Sequence, residues 1–314
     1  MATRSETEPD GSDPHLSAIM RERRRLINLA YRLLGSLSEA EDAVQEAYVR
    51  WYAMSAQEQA AIESPGAWLS TVTSRICLNV LRSARARRET YVGEWIPEPL
   101  PDRTEWGAGP SAATVDGTDP ADRVTLDESI SMAFLVVLEA MTPAERVAFI
   151  LHDVFHYPFA EVAEIVGRTP AACRQLASSA RRRISAAQST AAPRPEQADI
   201  VRAFKLAWQA KDIDALLGLL DPEVRAIGDG GGIVNAVLDP VEGREQVAQA
   251  CVHVASQGAA LTVLERTVNG QPGLVAQRGG VTVAVLAFDI VDDRIKQLWT
   301  VLNPEKLQQW MTDF

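Results

Sequence analysis

Apolar positions recur at helical spacing from Leu16 to about Arg88: Leu26, Leu29, Ala30, Leu33 and Leu34, then Val44, Ala47, Tyr48 and Trp51. The stretch GSLSEAED predicts a stop at Gly35 and a restart with Ser38 as N-cap and Glu41 at the capping-box position. A second break, ESPGAW, precedes a helix that carries several arginines. Helical spacing returns over residues 121–187. From Ala198 the pattern changes: one amphipathic helix, DIVRAFKLAWQAKDIDALLGLL, leads into short β-like runs such as EVRAIG, ALTVLERTV, GLVAQR, VTVAVLAFDI and RIKQLWTVL. A helical piece, REQVAQACVHVAS, interrupts them. Helices followed by strands in this order predict an α+β domain with a curved antiparallel sheet.

The expected divisions follow from these changes of pattern. They are a disordered leader (1–14), a helical domain (15–90), a Pro/Gly-rich acidic linker (91–125), a second helical domain (126–188), a short linker (189–197) and the α+β domain (198–314). A chain of 314 residues is too long for one ordinary core, which agrees with several domains. The polar start MATRSETEPDGSDPH lacks the apolar stretch of a secretory signal, and no run is long enough to span a membrane. Three widely separated cysteines, Cys77, Cys173 and Cys251, suit a reducing compartment, so a cytoplasmic location is expected.

Net charge is −11, which at first argues against nucleic acid. Its distribution changes that picture. Trp68 to Arg88 holds five arginines and no acid, and Ile165 to Ala187 does the same. Phosphate attraction acts within about 8 Å at physiological salt, so two local acid-free stripes outweigh the total.

The second stripe lies in PFAEVAEIVGRTPAACRQLASSARRRI, which has the spacing of a helix-turn-helix. Ala163 is small where two helices would cross, Gly167 makes the turn, and Val162, Val166, Cys173 and Leu176 face inward. Thr169 is the expected N-cap, with Pro170 at the first helical position. Arg168, Thr169, Ala171, Ala172, Arg174, Gln175, Ser178, Arg181 and Arg182 then line the outward side. Arginine and glutamine make bidentate bonds to base edges, and terminal arginines suit phosphates.

In the first helical block, SEAEDAVQEAYVRWY puts Asp42, Gln45, Glu46 and Val49 along one face. AWLSTVTSRICLNVLRSARARRE mixes an indole, hydroxyls and arginines. With these residues the chain resembles the extracytoplasmic-function sigma factors of bacterial RNA polymerase. The resemblance implies that Asp42, Gln45, Glu46 and Val49 meet core polymerase. It implies that the next helix melts and reads the −10 element, through Trp68, Thr71, Arg75, Asn79, Arg82, Arg85, Arg87 and Arg88. Residues 127–187 would then read the −35 element. Trp68, Thr71, Ser74 and Arg75 recur at helical spacing and suit the capture of unstacked bases, although Trp68 suits the core equally. Asn79 departs from the family, where many members carry an acid.

The α+β tail resembles the SnoaL-like, cone-shaped fold, which one branch of these sigma factors carries. WIPEP (Trp95, Pro97), DGGG (Asp229, Gly230, Gly231, Gly232) and NPEKL (Asn303, Pro304) fit that branch, and the resemblance implies a regulatory role for them in cis. Relatives usually have lysine where this chain has Ile233. The glycine loop lacks the Lys-Ser/Thr of a phosphate-binding P-loop. Asp229 is the one candidate general base in the tail, and an acid beside glycines is more often a turn former. His152 and His156 in HDVFH have metal-ligand spacing but no evident third ligand, and read as structural. No catalytic residue, metal or cofactor is expected. The expected partners are core RNA polymerase and promoter DNA, with no membrane; an unknown small ligand of the tail is left open, and the free chain is expected to be a monomer. Two other readings stay open: a stand-alone helix-turn-helix regulator with a ligand-sensing tail, and an isomerase or hydrolase tail tethered to DNA.

Overall fold

A computed structural model describes residues 14–88, 91–101, 130–187, 195–236, 239–256 and 261–311. The expected leader, apart from Pro14, and the larger part of the expected acidic linker lie outside them. Helix α1 (Pro14–Leu34) ends at Gly35, whose φ of +70° breaks the helix. Helix α2 (Leu37–Tyr52) starts at Ser36, whose hydroxyl accepts from the Glu39 N–H. The N-cap is therefore Ser36 rather than the expected Ser38. The carboxylate of Glu98 accepts from the Leu37 N–H at 2.8 Å, so a distant residue completes the cap. After the short α3 (Ala56–Ala60), α4 (Pro65–Arg88) carries the first arginine run.

The second helical block comprises α5 (Met132–Glu139), α6 (Pro143–Phe149), a π-helical turn (Ile150–Val154), α7 (Phe159–Val166) and α8 (Pro170–Ala187). Thr142 and Glu145 form a reciprocal capping box at the start of α6. Gly167 closes α7 at φ +72°, and the Thr169 hydroxyl accepts from the Ala172 N–H to start α8. Ala163 and Cys173 are buried at the crossing. The two helical blocks share one hydrophobic core, which runs from Leu26, Leu33 and Ala47 through Leu69 and Cys77 to Leu135, Val147, Ile150 and Val162. Arg146 bridges them: its fully buried guanidinium donates to the Leu33 carbonyl at 3.0 Å and to Glu139 at 2.7 Å. Burial pulls its pKa down to about 9, which leaves it charged at neutral pH.

The remaining residues form α9 (Pro195–Ala210), α10 (Ile213–Leu219), α11 (Arg244–Ser256) and strands β1 (Leu220–Asp229), β2 (Val241–Glu242), β3 (Thr262–Val268), β4 (Gln271–Arg278), β5 (Val281–Val291) and β6 (Arg294–Val301). The strand order is β2-β1-β6-β5-β4-β3. The expected SnoaL-like cone with a curved antiparallel sheet is not what forms. The sheet runs from one edge strand to another without closing on itself, and β1 pairs with β6 in parallel, with Ile227 opposite Trp299.

The physical reason is that both faces are apolar and both are covered. One face packs Leu274, Ala276, Leu286, Phe288 and Leu298 under Phe204, Trp208, Leu216 and Val247 of the helices. The other presents Ile227, Val275, Val285, Ala287, Trp299 and Val301 to Ile96, to Met132 and Val136 of α5, and to Leu307 and Trp310. An open sheet offers two such faces, whereas a closed cone would keep one for its own interior.

Candidate nucleic-acid interface

On α2 the backs and fronts of the helix separate cleanly. Ala40, Ala43, Val44 and Ala47 are buried, and Asp42, Gln45, Glu46 and Val49 are exposed on the opposite side. Glu46 pairs with Arg50 one turn on. Val49 is 61% and Tyr52 65% exposed, so this acidic face also offers apolar surface.

Helix α4 is buried along most of its circumference. Between Leu69 and Arg82 the exposed residues are Arg75, Asn79 and Arg82, which with the half-buried Thr71 form one stripe, each three or four residues from the last. Trp68 is half-buried at the head of the stripe, with its ring 5.3 Å from that of Trp51. Ser74, expected beside Arg75, is buried, because it falls on the side of α4 that meets the core. The side chains of Arg85, Arg87 and Arg88 lie outside the described residues. Arg75 is engaged: its guanidinium donates to the carbonyl of Glu164, near the end of α7, at 3.2 Å.

On α8, Cys173, Ala177, Ala180 and Ile184 face the core. Arg168, Thr169, Ala171, Arg174, Gln175, Arg181 and Arg182 are exposed, with Ala172 and Ser178 half-buried among them. The outward residues thus form one continuous surface that starts at the turn and ends in arginines.

The residues of the three short motifs come together although Ile96 and Asp229 are 133 residues apart in the chain, and Asp229 and Lys306 are 77. Residues 91–101 form a strap between the amino-terminal helices and the sheet. Asp229, at the end of β1, is buried and accepts from the Tyr91 hydroxyl (2.7 Å), the Ile96 N–H (2.9 Å), the Gly231 N–H (3.0 Å) and the Lys306 ammonium (2.6 Å). Lys306 also donates to the Ile96 carbonyl and lies 4.1 Å from the centre of the Trp95 ring. Asn303 caps the turn Pro304–Lys306 and donates to the Tyr91 hydroxyl at 3.1 Å. Burial and the Asp229 carboxylate push the Tyr91 phenol well above its usual pKa, so it stays a donor.

The glycines of the loop make room for these contacts. A Cβ on Gly230 would fall 2.1 Å from the Val234 carbonyl oxygen, and one on Gly231, at φ +62°, 2.3 Å from the Asn303 side chain. Gly232 lies against Val92 of the strap. Pro97 is buried, and Trp310 donates to the Pro99 carbonyl at 2.8 Å. Both oxygens of Asp229 are taken up by four donors, which leaves neither free to meet a substrate proton and argues against proton transfer by this residue.

Sequence reasoning named Asp229 and Asn303 but not Lys306 or Tyr91, which complete the cluster, nor Glu98, which ties the strap to the start of α2. Lys306 stands inside NPEKL, and a buried lysine reads as an ordinary surface one until its partner is known. It also missed Asn269, which donates to the Tyr31 hydroxyl (2.8 Å) and the Ile130 carbonyl (2.9 Å) and accepts from the Leu100 N–H (3.0 Å). Its one local signal was the Asn-Gly pair of a hairpin turn, where it takes φ +51°.

Comparison with known proteins gives these surfaces a family. The Sigma-70 region 2 model matches residues 18–87, and the Sigma-70, region 4 model matches residues 131–184. The ECF RNA polymerase sigma factor SigJ of Mycobacterium tuberculosis is 37% identical over 300 residues, covering 90% of this chain and 90% of the relative. The chain belongs to the ECF sigma factors. SigI of the same species, described as a probable ECF RNA polymerase sigma factor, is 36% identical over 297 residues, with 94% and 95% covered. The crystal structure of M. tuberculosis SigJ superposes with a TM-score of 0.71 at 34% identity, covering 94% of this chain and 98% of that one. The similarity therefore extends through the fused carboxyl-terminal domain of this sigma factor. Its family is one of transcription factors and not of enzymes. Among the described residues no helix is long and apolar enough to cross a membrane.

Proposed function

We propose that this sigma factor binds core RNA polymerase through Asp42, Gln45, Glu46 and Val49. Thr71, Arg75, Asn79 and Arg82 of α4, with Trp68 at their head, meet the −10 element. The outward face of α8 reads the −35 element, and the carboxyl-terminal domain modulates both in cis. The observation that carries this reading is that all three sets are solvent-facing stripes on helices whose other sides are core. Exposed stripes of base-reading and phosphate-binding side chains suit contact with nucleic acid.

The cis role draws support from distance. Elements named −10 and −35 are some 25 base pairs apart, or roughly 85 Å along B-form DNA. Arg75 of α4 touches α7, so the two domains must part before both elements are engaged. The 28 residues between Pro101 and Ile130 reach about 95 Å when extended, enough for that separation. The sheet holds the strap by Ile96 and the second helical block by Met132 and Val136, so it opposes the parting.

Run-off transcription with core polymerase tests this with three proteins. The full chain should initiate at a selected promoter. Asp42, Gln45 and Glu46 changed together to alanine should abolish holoenzyme formation. A chain ending before residue 195 should give altered output. Normal assembly by the triple variant would refute the polymerase face, and unchanged output from the shortened chain would refute the cis role.

A further inference from the structure

The HDVFH stretch takes no part in the surfaces above, and among the described residues no cluster of three or more His, Cys, Asp or Glu is placed to hold a metal. Its geometry leads elsewhere. His152 and Asp153 sit in the π-helical turn, where the altered register changes which side chains leave on which side. The His152 ring stacks on Phe159 with centroids 3.7 Å apart, and its Nδ1 lies 2.9 Å from the Tyr157 carbonyl oxygen, which fixes the imidazole. The guanidinium of Arg174 lies over the Phe159 ring, 5.6 Å from its centre. The next residue, Asp153, meets Nε of Arg181 through Oδ1 at 2.5 Å. Two adjacent residues of one turn thus brace two arginines spaced two helical turns apart on the exposed face of α8.

We propose that His152 and Asp153 are positioning residues for promoter recognition: they hold Arg174, through Phe159, and Arg181, directly, in the pose from which these arginines meet DNA. The proposal rests on the reading of α8 as the −35 reader. Arg181 is 46% exposed, and an ion pair so open to water contributes little to folding. What it does is restrict a long side chain that otherwise loses rotamer freedom on binding. Pairing at Nε leaves the four N–H donors of the terminal nitrogens for a phosphate.

The sign of one effect separates this from plain electrostatics. Asp153→Ala removes a negative charge beside the DNA-facing arginines, so charge alone predicts tighter binding. Positioning predicts weaker binding, by about threefold to tenfold.

The assay uses the full chain in holoenzyme with a duplex selected from a randomised pool, and follows affinity against salt. Arg181→Ala should flatten the salt slope by about 1. Asp153→Ala should weaken binding when Arg181 is present and change nothing in the Arg181→Ala background. Asp153→Asn, which keeps the acceptor and the shape, should retain most of the affinity and guards against misfolding of the alanine variant. Phe159→Leu should broaden base preference at the positions that Arg174→Ala broadens. Tighter binding by Asp153→Ala, or losses that add to those of Arg181→Ala, would overturn the Asp153 assignment; unchanged preference with Phe159→Leu would overturn that of His152. If Arg181→Ala leaves the slope intact, the phosphate role of Arg181 fails, and the Asp153 assignment fails with it.

Discussion

Glu98 is the buried acid of the strap, 4% exposed, and it accepts from the Leu37 N–H and the Ser36 hydroxyl. Burial pushes its carboxyl above the usual carboxylate range, and the two donors only partly reverse this. A raised native pKa means that the folded chain holds the proton more tightly than the unfolded one. The stability it contributes is therefore full below the unfolded pKa, near about 4.3, and is lost as pH rises through the native value. Glu98→Gln keeps an acceptor for α2 without the titration. The difference in unfolding free energy between wild type and Glu98→Gln, measured by denaturant at several pH values, should shift against the wild type from acid towards neutral. A constant difference would refute the assignment. The sequence showed an acid in a linker, and nothing local marked it as the second half of a helix cap.

At the scale of elements, two glycines with similar backbone angles should behave differently. Gly167 ends α7 at φ +72° with nothing within 4 Å of a would-be Cβ. Gly167→Ala should cost only the left-handed backbone penalty, about 1–2 kcal/mol. Gly231, at φ +62°, carries the same penalty and in addition has Asn303 at 2.3 Å from a Cβ. Gly231→Ala must displace Asn303, which caps the next turn and bonds Tyr91, so its loss should exceed that of Gly167→Ala by at least about 1 kcal/mol. Thermal or denaturant unfolding of both variants checks the order. The helix-turn-helix was readable because its signals are local: a small residue, a turn glycine, an N-cap and a proline lie within eight residues. The sheet was less so. Its strands were recognisable as runs, but the parallel pairing of β1 with β6 joins segments some 70 residues apart, which no local pattern records.

For the whole molecule, Asp229 and Lys306 hold the strap to the sheet, and the sheet in turn covers α5. Asp229→Ala would leave the Lys306 ammonium buried without its carboxylate, a change that typically costs about 3–5 kcal/mol. It should loosen the strap and raise the fraction of molecules with the helical blocks apart. Energy transfer between dyes at Ser83 on α4 and Ser185 on α8 reports this separation. Wild type should keep high transfer until core polymerase is added, whereas Asp229→Ala should show reduced transfer beforehand. Equal transfer in the two free proteins would show that the clamp does not restrain the domains.

The sequence by itself determined the helices and the outward positions on α2 and α8, because each depends on residues within a few turns of one another, whereas on α4 it placed Ser74 outward and the fold buries it. It also marked WIPEP, DGGG and NPEKL as belonging together by resemblance, without saying how. Only the tertiary structure decided that Asp229 and Lys306 close on the strap, that Arg75 rests on α7 and that the sheet stays open with both faces covered. These are contacts between distant parts of the chain. Their energies come from burial and from paired donors, and neither exists until the chain has folded.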